Sequence, residues 1–200
     1  FINYYTNFGE TWEKMALTRM RPVCGDINII NSILDFRNRF CFQRHLDFNL
    51  LDDLGSLRSK IQIENWAKSN TDKINLKFIP GGIRDLELFI HALQVVHGGK
   101  TPELRTSGIT RNCKLLQSLG LLKSEDADLI LKNYWNLRAL ENYVQSINDE
   151  QTQTLDISVS HPDSITQMYQ DLNIDKCNQL VSKVIGKNPD SEDIDFINKT

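Results

Sequence analysis

Apolar residues along this chain recur every three or four positions almost throughout, which is the repeat of an α-helix and not the alternation of a strand. Val, Ile, Phe and Tyr follow the same spacing, so the pattern predicts an all-α fold with almost no strand. A first helix is expected over about 10–20, with Trp12, Met15, Ala16 and Arg19 on one side and Pro22 as its stop. Asp26 caps a second, in which Ile30, Ile33 and Leu34 share a face. A third runs over about 50–68 through Leu54, Leu57, Ile61 and Trp66, and 70–82 reads as a loop punctuated by Pro80-Gly81-Gly82.

A helix over 83–96 follows, for which Gly98-Gly99 predicts a left-handed termination. Thr101-Pro102-Glu103 is a short start signal, and a helix over 108–119 is closed by Gly120. Ser124 is expected to cap the longest periodic segment. Its face holds Leu129, Ile130, Leu137, Leu140, Val144 and Ile147, while Leu131, Trp135 and Ala139 lie opposite. About 24 residues at 1.5 Å each make a rod of roughly 36 Å. Apolar on two sides, it is expected at the centre of a helical bundle, with Trp135 in the core. After a polar connection over 148–160, Pro162 opens a helix with Ile165, Met168 and Leu172 inward, and Leu180, Val181 and Val184 mark another before Gly186.

Composition narrows the function classes. At 200 residues, 40% hydrophobic and 24% charged, the chain is long enough for a substantial core and ordinary for a globular protein. A net charge of -3 with mixed signs offers no bulk attraction to nucleic acid or to an anionic membrane, so neither is expected as a partner. No apolar run approaches bilayer length and the start carries no basic-then-apolar pattern, so the cytoplasm is the expected compartment. Cys24, Cys41, Cys113 and Cys177 are scattered and read as buried free thiols. The chain opens at Phe1 inside a periodic segment, which reads as a piece of something longer.

A catalytic constellation is hard to find. No H-D pair, H-E-x-x-H, G-x-S-x-G, P-loop or G-x-G-x-x-G occurs among the residues around His45, His91, His97 and His161 or elsewhere. Asp126-Ala127-Asp128 falls in the first turn of a helix, where alternate residues point apart and acids serve the dipole, and Asp193-Ile194-Asp195 lies in the polar tail. The expectation is therefore no catalytic residue and no metal ligand in this chain. Arg19 and Arg21 are candidates to hold a phosphate, against the alternatives of solvation or pairing with an acid. Lys100, Arg105 and Arg111 read as solvated.

The stretch GGIRDLELFIH carries the other candidates. On a helical projection Arg84, Glu87 and His91 gather on one side with Leu88 and Val95. Either they form exposed pairs worth a few tenths of a kcal/mol each, or the side is covered by a neighbouring element and the ions sit in fixed geometry. In the second case Gly81-Gly82 serves close backbone approach or positive φ.

Several stretches together resemble one family, the glutamine synthetase adenylyltransferases, which both adenylylate and deadenylylate glutamine synthetase in bacteria. Gly9-Glu10-Thr11-Trp12-Glu13 with Ala16, Arg19, Arg21 and Gly25-Asp26 is similar to the family's G-x-x-W-E…A…[KR]-x-R…G-D segment. Gly81 to Glu87 is similar to its G-G-I-R-[ED]-[IL]-E segment. His97-Gly98-Gly99-Lys100, then Leu137-Arg138 with Leu140-Glu141-Asn142, and finally the run from Ile147 to Leu155 follow in the family's order. The last run looks like the one in the N-terminal, adenylyl-removing half, except that Asp156 stands where the family usually has proline. The resemblance implies a helical companion domain to an upstream nucleotidyltransferase core that this chain lacks. It implies residues 1–25 as the end of the nucleotidyltransferase region with its connecting helix, 26–155 as the helical domain, 156–186 as a C-terminal helical pair and 187–200 as a frayed tail. It also implies magnesium and ATP for the parent enzyme, with glutamine synthetase and a P-II type regulatory protein as partners. Arg19, Arg21, Arg84 and Glu87 become candidate phosphate or interdomain contacts. A free-standing helical interaction module is the competing expectation.

Overall fold

A computed structural model describes residues 1–43, 49–66, 72–149 and 151–186. The expected tail over 187–200, His45, Glu150 and the end of the third helix toward 68 lie outside the described residues. The chain folds as an all-α bundle: α1 (Ile2–Phe8), α2 (Thr11–Thr18), α3 (Ile27–Cys41), α4 (Asn49–Trp66), α5 (Ile83–Gly98), a 3-10 turn at Pro102–Leu104, α6 (Ile109–Ser118), α7 (Ser124–Asn148), α8 (Asp163–Gln170) and α9 (Ile174–Val184).

The deepest element is α5. Of its residues only Arg84 and Val96 are not buried, and it packs against α2, α6, α7 and α9. Leu86, Phe89, Ile90, Ala92 and Leu93 are wholly inaccessible, joined in the main core by Leu54, Leu76, Leu116, Ile130, Leu137 and Val181. The long helix α7 lies along this core with one buried face, Ala127, Ile130, Tyr134, Leu137, Leu140 and Val144. Two expectations are corrected: Ile147, expected on that inward face, is 56% exposed, and on the other side Trp135 is 56% exposed while Leu131 and Ala139 are half-buried. Trp135 rests edge-on against Tyr134, with ring centroids 5.5 Å apart, and covers no second layer. A smaller cluster of Leu17, Cys41 and Phe42 joins α2 to α3.

Two strands escaped the pattern. β1 (Lys73–Asn75) and β2 (Thr154–Asp156) pair antiparallel with Ile74 opposite Leu155. At three residues each they are too short for an alternation to register. They nonetheless fix the entry to α5, because Leu76 N–H donates to Gln153 O at 2.9 Å while Leu76 O in turn accepts from Ile83 N–H at 3.1 Å. Asp156, the departure from the family's proline, ends this strand and its carboxylate accepts from the Ser158 hydroxyl and amide.

Other local expectations need correcting. Gly99 ends α5 in a right-handed conformation (φ -65°, ψ -38°). Gly98 answers to space instead, since a Cβ on it would lie 2.6 Å from the Phe42 ring. The last carbonyls of α5 are held by Arg105, whose Nε donates to Gly98 O at 2.7 Å and Nη2 to Gly99 O at 3.1 Å. Arg105 is thus a cap on the negative end of the helix and not a solvated side chain. Ser124 begins α7 without capping it. Cys24 is exposed, whereas burial pushes the Cys41, Cys113 and Cys177 thiols up to about 12.

Gly81 combines both reasons for a glycine: φ is +80°, and a Cβ would stand 2.4 Å from Ile174 O and 2.9 Å from Asn178 N. Gly120 has a similar φ of +71° but open space around it. Gly81→Ala is therefore expected to cost at least about 3 kcal/mol in chemical denaturation, and Gly120→Ala about 1 kcal/mol; equal losses would show that α9 yields freely. Trp135→Ala is expected to cost about 1 kcal/mol or less, the range of an exposed aromatic pair.

Candidate functional site

The site grows from the first two turns of α5. Residues two apart on a helix point in nearly opposite directions, so Asp85 and Glu87 anchor different neighbours. Asp85 Oδ2 accepts from Arg58 Nη2 at 2.7 Å, from Arg58 Nε at 3.0 Å and from the Gly81 amide at 2.8 Å. Arg58 extends on from α4 to α9, donating to Asn178 Oδ1 at 2.6 Å, Ser182 Oγ at 3.0 Å and Ile185 O at 3.3 Å. Each partner's charge is met, and the pair ties α4, α5 and α9 together.

Glu87 is 3% exposed and looks the other way, toward α2 and α7. Its Oε1 accepts from Arg138 Nη2 at 2.6 Å and from the Tyr134 hydroxyl at 3.3 Å. Its Oε2 accepts from Arg19 Nη1 at 3.2 Å, and Arg84 Nη1 stands 4.0 Å away. Arg138 also pairs with Glu141 at 2.6 Å. Burial pulls the Arg138 guanidinium down, but its bonds to Tyr134 and Glu141 and the charge of Glu87 prevail, raising its pKa above the ordinary arginine value. Three cations thus face two carboxylates. The Arg19 and Arg84 side chains remain 48% and 47% exposed, so their outer N–H groups stay open to solvent.

The sequence candidates separate accordingly. Arg19, Arg84 and Glu87 meet at one point. Arg21 is exposed after α2 and joins no ion pair among the described residues. His91 is buried on the same side but bonds to Gln94 at 2.8 Å and to Thr18 at 3.2 Å, not to Glu87. Leu88 and Val95 are each 8% exposed, so this side of α5 is covered, chiefly by α2. Sequence reasoning missed Asp85, Arg58 and Tyr134 as participants and quoted Arg138 and Glu141 only as resemblance. No local spacing links Arg138 to Glu87, 51 positions away.

Beside the cluster, α2, α4 and α5 enclose a cleft of about 350 Å³. Trp12, Met15 and Ala16 form one wall, Leu57 and Ile61 the second, and Leu88 with His91 the floor, while Arg19 and Arg84 stand at the rim. The α2 side singled out by its spacing therefore lines this cleft, with Trp12 51% exposed. Among the described residues no group of three or more His, Cys, Asp or Glu side chains is placed to hold a metal. The Asp85 and Glu87 carboxylates are already surrounded by arginines, so these residues do not fit magnesium.

Two outcomes are expected. Glu87→Ala, which leaves Arg138 with Glu141 alone and opens a hole in the core, should lower stability by about 3 kcal/mol, while Arg84→Ala, half exposed and at the limit of pairing distance, should cost below about 1 kcal/mol. Denaturant titration of both variants checks this asymmetry. Burial, with nearby Arg19 and Arg84 for His91 and Lys100 for His97, lowers both histidine pKa values below their ordinary value. The unfolded chain then binds more protons than the folded one once pH falls below about 6.5. Stability contributed by the neutral rings is whole above that pH and is lost below it. Between pH 7.5 and 5.5 the loss should reach about 1 kcal/mol per histidine, and His97→Gln should remove its share.

Among the described residues no helix is long and apolar enough to cross a membrane. The family model for GlnD PII-uridylyltransferase matches residues 55–179, a span that contains Arg58, Asp85, Glu87, His91, Arg138 and Glu141 and leaves α2 with Arg19 outside. With more than half of its length matched, the chain belongs to the GlnD PII-uridylyltransferase family, nucleotidyltransferases of nitrogen regulation.

Proposed function

We propose that the chain serves as the helical companion of a nucleotidyltransferase core in a glutamine synthetase adenylyltransferase, on its adenylyl-removing side. The observation that carries this reading is the convergence on Glu87. Arg19, the Arg84–Glu87 pair and the Arg138–Glu141 pair come from three separate stretches of the family resemblance, and they meet in one ion cluster. A motif residue retained only for solubility would have no reason to share a carboxylate with two others.

In this role the buried carboxylate acts as a clamp. It holds the inner edges of Arg19 and Arg84 and leaves their outer N–H groups facing outward, where guanidinium geometry suits a phosphate or carboxylate of the core or its substrate. Magnesium and ATP are assigned to the upstream core, because the acids described here are committed to arginines. Glutamine synthetase and a P-II type regulatory protein are the proposed partners of the parent enzyme, in the cytoplasm.

The matched family's own description supports a second reading, in which the parent modifies the P-II protein with uridylyl groups. The parent chain assayed on both substrates decides between them. Phosphate-dependent release of ADP from adenylylated glutamine synthetase, reduced at least tenfold by Arg84→Ala without loss of stability, is the expected result. Release of UMP from uridylylated P-II protein, with no action on glutamine synthetase, would establish the second reading in its place.

A further inference from the structure

We infer that the apolar face shared by α1 and the first two turns of α3 seats the nucleotidyltransferase core that precedes Phe1 in the parent enzyme. The inference rests on the reading of this chain as the companion of such a core, but not on which nucleotide the core handles.

The helix α1 is weakly held for an element of its length. Seven residues are well below what is stable in water without packing, and none of the seven is buried. Its inward ring is Tyr5, whose centroid lies 6.2 Å from that of Phe36 and 5.7 Å from that of Phe40. Phe1, Tyr4, Tyr5 and Phe8 follow the i, i+3, i+4, i+7 spacing of a face meant for burial. Yet Tyr4 is 53% and Phe8 69% exposed, so α3 covers only part of that stripe. The second helix is divided in the same way. Phe36, Arg37 and Cys41 are buried, but no residue of 27–35 is, and Ile29 is 61% exposed. Phe1, Ile2, Ile29 and Ile33 together line an open groove.

The composition of this face selects the kind of cover. Residues 1–8 and 27–34 carry no charged side chain, in a chain that is 24% charged. A helix lying on a membrane presents Lys and Arg beside its apolar face, and a partner that comes and goes is ordinarily steered by charge. Aromatic rings without charges are the mark of the fully buried part of an interface. Position then selects the occupant. Phe1 is itself part of the groove, so the polypeptide joining an upstream core to this chain leaves from the groove. Such a tether holds the core beside the face at high effective concentration. A second copy of the chain has no tether of this kind.

Hydroxyl-radical footprinting of the parent enzyme and of the 200-residue chain, each collected as the monomer by size exclusion with light scattering, reads the face directly. We expect oxidation of Tyr4 and Phe8 to be at least fivefold lower in the parent. Ile29→Glu should restore that oxidation in the parent while leaving the 200-residue chain as stable as before. Ile63→Glu, at an isoleucine of α4 that is 68% exposed, should change neither. Should the Ile29 variant of the parent fail to fold, the footprint of the unsubstituted parent still decides. Protection found only in a dimeric parent would make a second copy the occupant and overturn the inference, as would protection that survives Ile29→Glu. Tyr4 and Phe8 open beside an active core would overturn this inference alone, whereas a parent with no core before Phe1 would overturn the companion reading with it.

Discussion

A carboxylate buried as deeply as Glu87 stays ionised only if cations reach it, and that requirement organises this molecule. Glu87 sits on the most enclosed helix of the bundle, so its cations must come from elements packed against α5: Arg19 at the end of α2 and Arg138 in the middle of α7. Apolar packing alone would bring these helices together without fixing how one slides along another. The 2.6 Å contact from Arg138 to Glu87, with Tyr134 one turn earlier on α7 donating to the same oxygen, fixes that register. Glu141, a turn later, then takes the other edge of the same guanidinium.

Asp85 performs the complementary task on the other side of α5. Arg58 spans from α4 through Asp85 to the end of α9, and the same carboxylate oxygen also takes the Gly81 amide. This explains why glycines precede the acids. The chain must turn with positive φ at Gly81 while passing within contact distance of the first turn of α9, and a side chain there would collide with Ile174 O. In the segment GGIRDLE the glycines therefore set the approach, the aspartate holds the turn and α9, and the glutamate holds α2 and α7.

Much of the fold was legible because burial in a helical bundle leaves its period in the sequence. The start of α5, the α6 boundaries, the stop before Pro22 and the paired helices after Pro162 follow directly from spacing and from Pro and Gly. Trp135 misled because an apolar residue on a helix signals burial only on average. The strands were too short for periodicity and were made by pairing across 80 residues of chain, which no local window contains. The candidate site was legible in part for the same reason. Arg84 and Glu87 are neighbours on one helix, whereas Arg138, Arg58 and Arg105 acquire their roles from partners remote in sequence or from a helix end that local pattern assigns to glycine.

The cluster also leaves its charges unequally matched. Arg138 meets two carboxylates at 2.6 Å each, but Glu87 has only one oxygen left for Arg19 and Arg84 together. Adding another acid would neutralise the excess and close the network as a purely structural device. Without it, positive charge remains at the mouth of an apolar cleft, beside a carboxylate that is 3% exposed. Donors held in place lose little freedom when an anion arrives. The depth of Glu87, which calls for the ion pairs, thus also ties one edge of the half-exposed Arg19 by a 3.2 Å hydrogen bond, while Arg84 stands 4.0 Å away.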